Sequence, residues 1–304
     1  MFKNGELGKC IEDKISIGGT IMNSPMEDTA TTQCNTEYDT LRRVILCQPK
    51  FMAIEEVIND VQKKYEDENI NIELAMKQHN EFEELLKAHG VEVIKLPSSE
   101  KFPEQVFTRD IGFTVGEDIF VAEMASDIRK GEEEVLEEWL DEEDISFQTT
   151  TSQVEGGDVI VDRGTLFVGI SSRTSIEAAE KLKEDLPDYT IIPVPFDEKY
   201  LHLDCVFNIL SPEVGLIFRK AFDPRIVDML SENHKLIDVS EEEQFTMGTN
   251  VLSIGGKKVF SLPQNKHVNE QIRAHGFEVI EVDFSEIIKS GGSFRCCSMP
   301  VNRE

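Results

Sequence analysis

Lys87-Ala88-His89-Gly90-Val91-Glu92-Val93-Ile94-Lys95-Leu96 returns, almost position for position in character, as Arg273-Ala274-His275-Gly276-Phe277-Glu278-Val279-Ile280-Glu281-Val282. Each copy reads as the last turn of a helix, a glycine suited to the left-handed position beyond it, and a strand of alternating residues. His89 and His275 are then helix-end residues, favoured near the last carbonyls, and not catalysts.

The same unit can be traced elsewhere with weaker identity. Ile111 to Glu123 reads as a hairpin turning at Gly116-Glu117-Asp118, followed by an acidic helix over Glu132 to Leu140 and a strand over Ile145 to Thr149. Val159 to Gly169 is a second hairpin, turning at Asp162-Arg163-Gly164. Thr174-Ser175-Ile176-Glu177 then opens a helix as a capping box, and Tyr189 to Val194 is its strand. A third hairpin spans Phe207 to Phe218, Asp223-Pro224 starts a helix with an acceptor cap and a proline in its first turn, and His234 to Val239 follows. The hairpin Val251 to Leu262, around Gly255-Gly256, leads into the second copy quoted above. With Leu41 to Leu96, opened by the strand Leu41 to Cys47, these make five units of roughly 50 to 60 residues. Units of this kind arrange radially, so the expected fold is α/β: a propeller of five ββαβ units around a central channel, sheets inside and helices outside. A plain two-domain α/β protein is the alternative. Residues 1–35 fit no unit and are expected to form a flexible or loosely docked extension to one catalytic domain over residues 36–304.

The 304 residues carry 31 Lys+Arg against 59 Asp+Glu, a net charge of −28. Such a surface repels a phosphate backbone, which argues against nucleic acid and anionic membrane as partners, while its field draws small cations. Six cysteines in a chain of this length do not read as a disulfide scaffold, the first 25 residues hold no signal-peptide core, and no long apolar run spans a membrane. A cytoplasmic setting is expected, with the oligomeric state open and a homodimer as one option.

In a radial array the residues just before each hairpin converge on the axis. Here they are Phe107-Thr108-Arg109-Asp110, Val154-Glu155-Gly156-Gly157-Asp158, Leu201-His202-Leu203-Asp204 and Gly291-Gly292-Ser293-Phe294-Arg295-Cys296-Cys297-Ser298-Met299-Pro300. Singly, each has a plainer reading: a surface ion pair, a glycine turn, a satisfied strand histidine, a packed cysteine pair. Jointly, one set per unit, they supply a thiol, an imidazole and several carboxylates, the parts needed for Cys/His chemistry on a cationic carbon.

These four segments, with Arg173-Thr174-Ser175, resemble the guanidine-modifying enzymes: arginine deiminases, dimethylarginine dimethylaminohydrolases and amidinotransferases, a superfamily of five-unit propellers. The likeness spans roughly residues 37–300. It implies Cys296 as nucleophile, forming an S-alkylthiouronium intermediate, and Cys297 as a packing neighbour. It further implies His202 as general acid then base, Glu155 as the carboxylate orienting it, and Asp110 and Asp204 as acceptors for guanidinium N–H groups. Arg173, and Arg129 as a second, would hold a substrate carboxylate, although an ion pair with Glu132 or Glu133 is the plainer reading of Arg129. Glu104 stands where relatives place Asp or Asn against the substrate's backbone end. The implied substrate is a small cationic guanidino compound, arginine or an N-methylated arginine, with no cofactor and no metal. The cysteines and histidines indeed lack the spacing of paired zinc ligands, and no nucleotide-binding loop is present. The compact length, without room for the extra helical insertion of a typical arginine deiminase, tilts the resemblance towards a compact arginine or methylarginine hydrolase. An amidinotransferase and a non-catalytic propeller that binds a partner through its acidic Glu132 to Asp144 face stay open as alternatives.

Overall fold

The computed structural model describes residues 32–304. Strand β1 (Leu41–Cys47) runs through helices α1 (Asp60–Tyr65) and α2 (Ile72–Ala88) into β2 (Glu92–Leu96), which pairs parallel to it. The next unit is β3 (Gly112–Val115), antiparallel β4 (Asp118–Val121), α3 (Glu132–Glu142), then β5 (Phe147–Thr149) parallel to β4. The pattern repeats with β6 (Val159–Asp162), β7 (Thr165–Ile170), α4 (Ile176–Asp185) and β8 (Thr190–Pro195). It repeats again with β9 (Phe207–Ser211), β10 (Val214–Ile217), α5 (Pro224–Ser231) and β11 (Lys235–Asp238). A short α6 (Glu241–Phe245) leads to β12 (Leu252–Ser253), β13 (Lys258–Ser261), α7 (Lys266–Ala274) and β14 (Glu278–Glu281). Finally β15 (Met299–Arg303) returns antiparallel to β1. The described residues therefore form five three-stranded sheets, each with one antiparallel and one parallel pair.

The local chemistry is the one the repeat predicts. Asn71 caps α2 by accepting from the Leu74 N–H, His89 and His275 occupy the C-caps of α2 and α7, and Gly90 and Gly276 follow at φ +82° and +85°. Only a residue without a Cβ takes that conformation cheaply. Asp223 and Pro224 start α5 as read. Three expectations need correction. The cap of α4 is Ser175, whose hydroxyl accepts from Ala178 N–H; the Thr174 hydroxyl instead accepts from the Glu155 N–H. The first unit draws its antiparallel strand from the far end of the chain, as β15. And at the end of the extension expected over residues 1–35, Gln33 bridges Asn302 and Cys34 bridges Gly116. The rest of the expected extension, residues 1–31, lies outside the described residues.

Packing fixes the loops that matter. Phe82 on α2 is fully buried, with the rings of Phe260, Phe284 and Phe294 at 5.2, 5.4 and 5.2 Å, and Phe294 stacks on Phe284 at 4.4 Å. Truncating such a ring costs about 3–5 kcal/mol. Phe294 lies two residues before Cys296, so this aromatic cluster anchors the loop that carries the thiol. No helix among the described residues is long and apolar enough to cross a membrane.

Candidate active site

Strands β3, β6, β9, β12 and β15 are the first strands of their sheets, and the turn entering each carries a polar group. Asp110 precedes β3, Glu155 and a single 3-10 turn over Gly156–Asp158 precede β6, and His202 caps another over Leu203–Cys205 before β9. Asn250 precedes β12 and Cys296 precedes β15. The chain packs so closely there that a Cβ on Gly157 would lie 2.7 Å from both Asp110 Oδ1 and His202 Cγ. Glycine at this position is what lets the Asp110 and His202 turns meet.

His202 is fully buried and its Nε2 lies 2.8 Å from Glu155 Oε2, with Nδ1 3.5 Å from Asp110 Oδ1. Burial pulls the imidazole pKa down, but the carboxylates of Asp110, Glu155 and Asp158 outweigh it and hold His202 protonated, up to about 10. Burial alone would raise Glu155; the hydrogen bond and charge of His202, with Arg129 and Arg173, bring it down to about 2. Glu155 Oε1 also accepts from the Ala125 N–H at 3.0 Å and sees Arg173 Nη1 at 3.6 Å.

Cys296 Sγ receives a hydrogen bond from Asn250 Nδ2 at 3.0 Å and faces the Asp204 carboxylate at 3.5 and 3.7 Å. Asn250 Oδ1 accepts from the backbone N–H of Cys296 and of Ser293, so one amide both shapes the loop and touches the sulfur. The Cys205 thiol, burial and the Asp204 charge together push the Cys296 thiol well above its ordinary value, so it rests protonated. Cys297 is equally buried but belongs to the packed interior, and burial pushes its thiol up too.

The structure brings most of the expected residues together. Asp204 follows His202 on one turn and touches Cys296, while Asp110 faces His202 and its charge is also felt by the Cys296 thiol. Sulfur and imidazole thus share Asp110 as a charged neighbour. Arg173 is buried with Nη1 free of hydrogen bonds, and Asp110 Oδ1 is a buried acceptor without a donor. Arg129 is the exception. Its guanidinium is committed to Asp110 Oδ2 at 2.6 Å, Glu132 Oε2 at 2.7 Å and the Phe107 carbonyl at 3.2 Å. The plainer reading, an ion pair with Glu132, is the one realised, so Arg129 steadies Asp110 and is not free to hold a substrate carboxylate. Glu104 is buried, accepts from Gln62 Nε2 at 2.7 Å and is pushed by burial to about 8. The sequence does not single out Asn250, since an asparagine there carries none of the motif strings of the other units, yet it stands at the same place before its hairpin as the others. Arg295 was missed as well: it gives Asp204 the partner that Arg129 gives Asp110.

Two donor sets lie close enough to share an ion: Asp204, Cys205 and Cys296, and Asp110, Glu155 and His202, each with atoms within 4.8 Å of one another. In both, the donors already bond among themselves. A cleft of about 230 Å³, walled by Asn59, Tyr200, Leu201, Phe245 and Met247, reaches in to Cys205 and Gly291 beside this cluster.

Residues 48–303 match the sequence profile of a family described as N,N dimethylarginine dimethylhydrolase, eukaryotic. The chain belongs to that family. Its members and their relatives are hydrolases acting on guanidino C–N bonds, within the guanidine-modifying superfamily that the four segments resemble. The chain is 53% identical to the uncharacterized protein YkgA of Bacillus subtilis over 90% of its own length and 96% of that protein's. It is 26% identical to the N(G),N(G)-dimethylarginine dimethylaminohydrolase of Mycobacterium tuberculosis over 86% of each. Among solved structures, the amino-terminal domain of ArgZ, a cyanobacterial arginine dihydrolase captured bound to substrate, superposes with a TM-score of 0.78 at 23% identity. That superposition covers 86% of this chain and 98% of that domain, and it shows the shared α/β fold.

Proposed function

We propose that this chain hydrolyses the guanidinium C–N bond of arginine or an N-methylated arginine, giving citrulline and ammonia or a methylamine, through a covalent Cys296 S-alkylthiouronium. The five sheets are, in this reading, the five blades of a propeller, with their first strands leading inward to one site.

The observation that carries the proposal is the pair Asp110 and Asp204. Each accepts at Oδ2 from a buried arginine while its carboxylate faces the reacting groups: Asp110 Oδ1 makes no hydrogen bond and lies 3.5 Å from His202 Nδ1, and the Asp204 oxygens lie 3.5 and 3.7 Å from Cys296 Sγ. A buried, unpartnered carboxylate oxygen is costly unless an N–H completes it, and a planar guanidinium offers N–H groups in the required fork. The arriving cation also answers the electrostatics of Cys296. The Cys205 thiol, burial and the charge of Asp204 keep the thiol protonated in the free protein; a positive group placed between sulfur and aspartates favours the thiolate. The thiolate adds to the guanidinium carbon, and the protonated His202 donates to the departing amine. The resulting neutral imidazole takes a proton from water, water adds to the thiouronium carbon, and collapse returns the thiol. Glu155 keeps His202 charged for the first step. In this reading Arg173, whose Nη1 makes no hydrogen bond, holds the substrate carboxylate.

Incubation with arginine, monomethylarginine, dimethylarginine and agmatine, reading citrulline, ammonia and methylamines, tests the reading and ranks the substrates. Cys296→Ser and His202→Ala should each abolish turnover in folded protein, and Cys297→Ser should retain most of it. Turnover of no compound on the panel, or dependence on Cys297 with Cys296 dispensable, would overturn it; transfer of the amidino group to an added amine would replace hydrolysis with transfer.

A further inference from the structure

The chemistry above has no use for Cys205, yet this thiol is placed against the reacting one. It follows Asp204 on the turn before β9, with its sulfur 3.5 Å from Asp204 Oδ1 and 4.0 Å from the Gly291 carbonyl oxygen. The Cys205 and Cys296 sulfurs and an Asp204 oxygen all lie within 4.8 Å of one another. Cys205 also lines the 230 Å³ cleft, so a small molecule entering it meets Cys205, whose sulfur lies within 4.8 Å of that of Cys296. Cys297, although next in sequence to Cys296, is packed in the interior near Cys47 and Glu104.

We propose that Cys205 is a resolving thiol for Cys296: a peroxide entering by the cleft converts the pair to a disulfide, which switches the site off reversibly and shields Cys296 from irreversible oxidation. The Cys296 sulfur attacks one peroxide oxygen, the O–O bond breaks, and sulfenic acid and water form. The Cys205 sulfur then displaces the sulfenic hydroxyl as a second water, leaving an S–S bond. Two electrons from the two sulfurs reduce the peroxide, and both thiol protons leave in water; a dithiol reductant returns both. Bond formation draws the sulfurs to about 2.05 Å, a side-chain movement from contact distance. Because the thiolate is the reactive form, linking speeds up as pH rises. The proposal rests on the hydrolase reading only for its effect on turnover.

The experiment treats the whole chain and its Cys205→Ser and Cys205→Ala variants with hydrogen peroxide at mildly alkaline pH, caps free thiols, and maps peptides without reduction. In the unmodified chain a Cys205–Cys296 cross-link should appear, lighter by two hydrogens than the reduced pair, with citrulline formation lost in step and restored in full by dithiothreitol. In both variants Cys296 should pass to sulfinic and sulfonic acid, with no recovery. Equal over-oxidation of Cys296 in all three proteins, or a link to Cys297, would overturn the proposal. A Cys205–Cys296 link in a protein that turns over no guanidino compound would uphold the thiol pair and sink the hydrolase reading alone.

Discussion

Asp110 and Asp204 are held by the same device in unlike surroundings. Each gives Oδ2 to the Nη1 of a buried arginine at 2.6 Å, and each arginine reaches on to a glutamate: Arg129 to Glu132 at 2.7 Å, Arg295 to Glu37 at 3.0 Å. What differs is the company of the glutamate. Burial would raise Glu37, but Arg295, Arg109 and Arg303 together bring it down to about 2. Glu132 has Arg129 alone nearby and shares the region with the charges of Asp110 and Glu155, so burial wins and pushes it to about 7. Glu104, beside the same arginine, is pushed to about 8. Identical pairing geometry therefore makes one clamp that is charged at every physiological pH and one that titrates. The lesson is that the count of neighbouring cations, more than the length of the ion pair, decides the state of a buried carboxylate.

Removing each arginine breaks the comparison most directly. Arg295→Met leaves Asp204 and Glu37 buried without their main partner, although Arg109 and Arg303 still favour the charged form of Glu37. The expected loss is about 3–5 kcal/mol in urea unfolding at neutral pH, as for other broken buried pairs. Arg129→Met should cost less, because Glu132 can stay neutral, and its cost should shrink further in mildly acidic buffer. Equal losses for the two variants, unchanged with pH, would remove the distinction between the clamps. A smaller effect of the same kind should follow at Glu37: Glu37→Gln lowers stability at neutral pH by about 1–3 kcal/mol, the penalty of an ion pair replaced by a neutral contact, whereas Glu132→Gln is close to neutral below pH 7. Thermal unfolding of the two glutamine variants side by side checks this.

How much of this was legible beforehand follows from how local each signal is. The five units showed themselves because each hairpin has its own turn residues, such as Gly116 and Gly164 at positive φ, and each helix its own cap. Strand β15 did not, since its partner β1 lies at the other end of the chain and no turn joins them. The site residues Asp110, Glu155, His202, Asp204 and Cys296 were readable through their common place before a first strand, and that same rule, applied to the fifth unit, points at Asn250. Pairings were a different matter. Glu37 meets Arg295 across a sequence separation of 258 residues, and nothing in either neighbourhood announces it. Around Arg129 the sequence offers Glu132 and Glu133 as equal candidates, and packing selects Glu132 and adds Asp110. Thr174 was one register off as a cap because its hydroxyl is claimed by the Glu155 backbone.

The finest consequence of the comparison is a slope. Glu104 and Glu132 have native pKa values of about 8 and 7 against an ordinary 4.5. Between those limits the folded chain binds more protons at these two positions than the unfolded chain does, so their contribution to stability is fully present below about 4.5 and is lost as pH rises through 7 and then 8. Glu37 runs the other way: its contribution is present above 4.5 and disappears only as pH falls through about 2. The melting temperature should therefore fall as pH is raised from mildly acidic to mildly alkaline. The double variant Glu104→Gln, Glu132→Gln should flatten that fall, while Glu37→Gln leaves its slope alone because Glu37 does not titrate in the window. His202, raised to about 10 from an ordinary 6.5, begins to lose its own contribution above about 6.5 and adds to the fall there, so the double variant and the parent are compared most cleanly between about 4.5 and 6.5. If the double variant kept the parent slope, the titrating clamp would have to be placed elsewhere, and the two sides of the site would be electrostatically alike.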